Sequence, residues 1–149
     1  MIVIDPYLDP TDEQSILAIE AYLDCMSADR ADPPSLTLHY GRESGVQFHG
    51  PSHAKAARTK LGGVMRSGQH VKCFVWSKPS QSSPGSERFH DRFILSELGG
   101  IGIQGGAGVA SASQHTSVYF LSPRECQDWR GRFDPRSPKL QLLFNFGVA

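Results

Sequence analysis

The chain has 149 residues, 39% of them hydrophobic and 20% charged, which fits one domain (1–149) whose core needs neither disulfides nor a structural metal. Fifteen basic side chains balance fifteen acidic ones, so bulk charge predicts no polyanion partner, and any nucleic-acid site must be a local patch. Cys25, Cys73 and Cys126 are odd in number and far apart, without zinc spacing, and point to a reducing, cytoplasmic compartment.

Met1-Ile2-Val3-Ile4 reads as a short buried strand that Pro6 breaks. It has neither the basic leader of a signal peptide nor the length of a membrane span. Thr11 or Asp12 caps a helix with an apolar stripe from Ile16 to Leu23, ending near Met26 to Ala28. Leu36–Tyr40 is a second strand, and Gly41 to Pro51 a loop. Ser52 is the expected cap of a helix through Leu61, which Gly62-Gly63 weakens or ends. That helix carries Lys55, Arg58 and Lys60, the densest basic stretch, read as a solvated face. Val71–Trp76 is a third strand, and Ser77 to Ser86 a loop by composition.

Phe89 to Glu97 alternates as a strand should, and Gly100–Ile103 follows as its hairpin partner. A loop from Gly105 to Thr116 leads to a strand at Ser117–Leu121. Ser122-Pro123-Arg124-Glu125 has the spacing of a capping box that opens a short helix. Leu140–Phe146 is the last strand. Strands alternating with helices predict an α/β layered fold, with a mixed, mostly parallel sheet and helices on both faces.

The chemistry concentrates on the strand of His90 and Arg92. Residues two apart on a strand share a face, so this imidazole and guanidinium project side by side. One can attack or transfer a proton, and the other neutralises phosphate oxygens. The glycine-rich strand beyond would let backbone N–H groups approach an anion. Asp5 lies at the carboxyl end of the first strand, where open α/β sheets place their ligand crevice. There it lines a pocket with Tyr7, or caps the turn with Pro6. His49 and His53 are four apart, but Pro51 between them argues against a shared metal site.

These residues carry a resemblance. His90, Arg92 and Glu97 stand at the spacing of the HxKxxxxD motif of the phospholipase D-like superfamily, here HxRxxxxE. Asp5-Pro6-Tyr7 resembles the end of that family's first strand, and Ile101–Gly106 its glycine-rich strand, without the usual Gly-Ser and Asn. The His-Asp-Arg run is similar to the branch that includes the C-terminal domain following microtubule-interacting and trafficking modules, regarded as a binder of phosphoinositide membranes among other ligands. In active members one histidine forms a phosphohistidine and a second motif's histidine protonates the leaving group. With one motif copy here, the resemblance implies a homodimer for activity, and no cofactor or metal.

The resemblance implies His90, Arg92 and Glu97 as the catalytic set, with Glu97 orienting the imidazole. Phosphate would be held by Arg92 with Gln104 and Gly105. Three functions stay open. One is a degenerate domain recognising phosphodiester groups of nucleic acid or anionic lipid headgroups. The second is a homodimeric, metal-independent nuclease or phosphodiesterase with His90 as nucleophile. The third is a protein-interaction module with a vestigial site.

Overall fold

The computed structural model describes residues 1–28, 35–43, 48–78, 92–104, 117–136 and 140–149. Seven strands form one mixed sheet: β1 (Ile2–Ile4), β2 (Leu36–Glu43), β3 (Val71–Lys78), β4 (Arg92–Ser96), β5 (Gly99–Gln104), β6 (Ser117–Leu121) and β7 (Leu142–Val148). Their order across the sheet is β6-β5-β4-β1-β2-β3-β7. The central β1, β2 and β3 run parallel, and the flanking strands join them antiparallel. Three helices accompany them among the described residues: α1 (Glu13–Ser27), α2 (Gly50–Val64) and α3 (Pro123–Arg132). The α/β layered class expected from the sequence is the observed one. No helix among the described residues is long and apolar enough to cross a membrane.

Strand alternation divides the core in two. Val3, Leu38, Tyr40, Cys73 and Val75 face one way and pack with Ile16, Ile19 and Leu23 of α1 and Ala54, Ala57 and Leu61 of α2. Ile4, Phe74, Trp76, Phe93 and Leu95 face the other way, with Cys126 of α3 and Phe133. The central strands are therefore buried on both faces, and burying each large aliphatic or aromatic side chain contributes roughly 1.5–3 kcal/mol.

The helix starts differ in how directly the sequence shows them. Asp12 caps α1 by accepting from the Ser15 backbone N–H at 2.9 Å. Ser122 and Glu125 form the expected capping box at α3. At α2 the cap is His49, not Ser52. The His49 Nδ1 accepts from the Ser52 backbone N–H at 3.3 Å and lies 2.8 Å from its hydroxyl, so Pro51 falls inside the first turn, where its missing N–H is harmless. Gly62 and Gly63 do not end α2, which runs on to Val64. The Leu61 carbonyl accepts from the Met65 N–H just beyond.

The hairpin of β4 and β5 forms, with Gly99 at a φ of +151° in the turn, but Gly100 and Gly102 serve packing. β5 lies between β4 and β6 and pairs with both, so its N–H groups belong to the sheet ladders rather than to an anion. A Cβ on Gly100 would sit 2.6 Å from Leu95 Cδ2 and 2.9 Å from Cys126 Sγ, where α3 docks. The Tyr119 ring covers Gly102, its cross-strand partner, and leaves no room for a Cβ.

His39 is buried between aromatic rings on the α3 side. Its ring stacks on Phe74 at 4.9 Å, and its Nδ1 accepts from the Trp76 indole N–H at 3.1 Å. Burial, then the nearby Lys72 charge, pushes its pKa down to about 3, so the ring is neutral at physiological pH.

Gly100→Ala is expected to cost about 1–3 kcal/mol in urea denaturation, through overpacking against α3. Gly62→Ala meets nothing within 4 Å and is expected to stabilise α2 by about 0.5–1 kcal/mol. The depressed His39 pKa means that protons bind the unfolded chain first. Its contribution to stability is complete above about pH 6.5 and is lost as pH falls toward about 3, at roughly 1.4 kcal/mol per pH unit. His39→Gln, which keeps an acceptor for Trp76, is expected to flatten that decline when urea midpoints are compared between neutral and acidic buffers.

Candidate phosphate-binding edge

The three parallel strands end at one edge of the sheet, and β4 begins there because it runs antiparallel to β1. This topology gathers Asp5, Tyr7 and Asp9 from beyond β1, Arg42 from the end of β2, Lys78 from the end of β3, and Arg92 from the start of β4. Open α/β sheets bind ligands outside this carboxyl edge.

The turn after β1 is built by Asp5. Its backbone N–H still donates to the His39 carbonyl at 2.9 Å, but Pro6 has no N–H to continue the ladder. The Asp5 carboxylate takes over locally, accepting from the Tyr7 backbone N–H at 2.8 Å. Asp5 is 2% exposed, and Arg92 Nε lies 3.5 Å from its Oδ1. The turn-capping expectation for Asp5 is met, and the same carboxylate faces Arg92. The Tyr7 ring carries two cations, Lys78 Nζ at 4.0 Å and the Arg92 guanidinium at 4.9 Å from its centroid. Lys78 crosses Gly41, where a Cβ would sit 2.6 Å from its Cγ and Cε.

A second cluster adjoins the first. Asp9 accepts from the Thr11 N–H and hydroxyl at 2.9 and 2.8 Å and forms an ion pair with Arg42. Arg42 Nη2 donates to His53 Nδ1 at 3.1 Å. A guanidinium only donates, so Nδ1 is an acceptor and the neutral ring carries its proton on Nε2. That nitrogen lies 2.8 Å from the Tyr40 hydroxyl and 3.7 Å from Asp9 Oδ1. Burial lowers the His53 pKa, Asp9 raises it and Arg42 lowers it, with a net downward shift. Burial also pushes the Tyr40 phenol far above its ordinary value, keeping it neutral. The Nε atoms of Arg42 and Arg92 are both buried without a hydrogen-bond acceptor among the described residues.

The structure thus brings Arg92, Asp5 and Tyr7 together. It does not bring Glu97 to them. Glu97 follows the last residue of β4 while Arg92 is the first, and at about 3.3 Å per residue they are roughly 16 Å apart. Glu97 is exposed, and its charge acts on the Met1 amino group at the opposite edge. Gln104 ends β5 beside Ile103, the cross-strand partner of Arg92, and is exposed at the carboxyl edge. His90, Asp91 and Gly105 lie outside the described residues. Of the basic helix face, Arg58 donates to the Gly147 carbonyl at 3.1 Å and Lys60 reaches Glu13 at 3.9 Å.

Sequence reasoning missed Arg42, Lys78, Asp9 and His53 as members of this edge. The usable signal was position, since Arg42 and Lys78 close the second and third strands of a parallel set. No family model, no curated protein and no solved structure matches the chain.

Asp9→Asn keeps the acceptor for Thr11 but removes the charge that supports His53 protonation. The His53 imidazole, followed by NMR through a pH titration, is expected to titrate at lower pH in this variant than in the wild type.

Proposed function

We propose that the carboxyl edge of the sheet recognises phosphodiester groups, as a degenerate phospholipase D-like domain would. The observation that carries this reading is the convergence of Lys78 and Arg92 on the Tyr7 ring at that edge, with Arg42 paired to Asp9 two residues further on. Arg42 and Arg92 face the carboxylates of Asp9 and Asp5, Lys78 lies over the Tyr7 ring, and the neutral His53 adds no charge. A phosphodiester brings one negative charge and acceptor oxygens to such a site, and guanidinium forks match them in pairs. The neutral net charge of the chain makes this a local patch, not a polyanion-binding surface. Nucleic acid and phospholipid headgroups both carry the group.

The test measures binding of a fluorescent single-stranded oligonucleotide across a salt series, beside vesicles with and without anionic phospholipid. Light scattering on the same samples gives the oligomeric state. Lys78→Ala is expected to weaken binding about tenfold and to reduce the salt slope by about one, as loss of one phosphate contact does. Arg92→Ala removes a cation from buried Asp5, so its binding loss is read only beside a denaturation curve. Binding indifferent to both variants would overturn the proposal and favour the protein-interaction reading. The oligonucleotide is expected to stay intact without metal. Hydrolysis abolished by His90→Ala, from a dimer, would replace recognition with catalysis.

A further inference from the structure

The sheet face turned away from α1 and α2 holds a separate cleft of about 390 Å³. It lies between β1, β2 and β3 and the stretch that follows α3. Its floor is aromatic. His39 and Phe74 are cross-strand partners with rings 7° from parallel, and Phe133 meets His39 edge-on at 5.4 Å. The rim is cationic, with Lys72, Arg130 and Arg136 against a single carboxylate, Asp134. That carboxylate is already engaged, accepting from Arg136 Nε at 3.0 Å and Nη2 at 2.7 Å. Arg130 is held at the rim by donating to the Ser96 carbonyl at 2.6 Å, and Lys72 Nζ stands 5.0 Å over the Phe74 ring.

With Arg136 paired to Asp134, Lys72 and Arg130 are the cations that the rim turns toward an anion, and Phe74 and Phe133, 6% and 4% exposed, give the cleft an apolar wall. The volume falls in the range of small-molecule sites, which are mostly apolar with a few placed polar groups. We infer that this cleft binds a small planar aromatic anion, its ring against Phe74 and Phe133 and its acidic group toward Lys72 and Arg130. The inference is independent of the phosphodiester reading. Arg42 and Lys78 belong to the carboxyl edge and do not line this cleft.

The built-in reporter is Trp76. Its indole N–H donates to His39 Nδ1, so its NMR resonance senses any change at the aromatic floor. Trp129→Phe assigns the two indole signals. The probe is 1-naphthyl phosphate, with inorganic phosphate titrated in parallel. The naphthyl compound is expected to shift the Trp76 signal in a saturable way, and inorganic phosphate to leave it in place. Lys72→Glu, at an exposed position, is expected to weaken the naphthyl affinity about tenfold or more, and Lys78→Ala to leave it unchanged. Absence of a Trp76 shift at millimolar probe would overturn the inference. So would an affinity insensitive to Lys72→Glu, or one lost in Lys78→Ala, which would move the anion to the other site. Lys72→Ala guards against misfolding of the charge-reversed variant and is expected to give a smaller loss in the same direction.

Discussion

The buried carboxylate of Asp5 is the constraint on which the carboxyl edge depends. A carboxylate removed from water is costly unless hydrogen-bonded and balanced by charge. Asp5 meets this demand with the Tyr7 backbone N–H and the Arg92 guanidinium. The first contact turns the chain after a strand of only three residues, and the second ties β4 to that turn. The antiparallel pairing of β4 with β1 is what lets Arg92 arrive there, because Phe93 opposite Ile4 sets the register. The contact therefore joins the fold to the proposed chemistry, and Arg92 takes part in both.

That double use bears on how the edge handles charge. A guanidinium committed wholly to a carboxylate has little left for a ligand. Arg92 is incompletely committed, since its Nε lies 3.5 Å from Asp5 without a hydrogen bond and its cationic face rests on Tyr7. Arg42 is shared in a comparable way between Asp9 and His53. Only the Asp5 carboxylate of these two pairs is fully buried; Arg42 and Asp9 keep 37% and 21% of their side-chain surface exposed, so their pairing adds little net stability and leaves the Arg42 guanidinium within reach of solvent.

The sequence carried the fold more readily than the site, for physical reasons. Period-two alternation places Arg92 and Ile94 on one face and Phe93 and Leu95 on the other, and the structure follows it, with Ile94 against the α1/α2 core and Phe93 and Leu95 in the α3 core. The capping box at Ser122 was legible because its spacing is local. The His49 cap was not, since histidine at that position is unusual and Ser52 offered a commoner side chain. Glycine richness in β5 reads equally as anion access or as close packing, and only the positions of Leu95, Cys126 and Tyr119 decide for packing. Arg42 and Lys78 escaped because β2 and β3 continue beyond their apolar runs, sustained by pairing with each other. Glu97 was misplaced because motif spacing ignores strand rise, which puts the two ends of β4 at opposite edges.

The unequal helices account for the second cleft. On one face α1 and α2, fifteen residues each, cover the central strands. On the other face α3 has ten residues and contacts β5 and β6, so the chain after it has to close over β2 and β3. Phe133 does this against His39 and Trp76, and the polar stretch that follows closes it less completely. The sheet face beneath stays buried, with His39, Phe74 and Phe133 only 4–6% exposed, so the cleft is an opening above it. Its wall is aromatic and ringed by Lys72, Arg130 and Arg136, a combination suited neither to bare solvent nor to a dry core. An acidic group with a flat apolar body satisfies both halves of that surface at once.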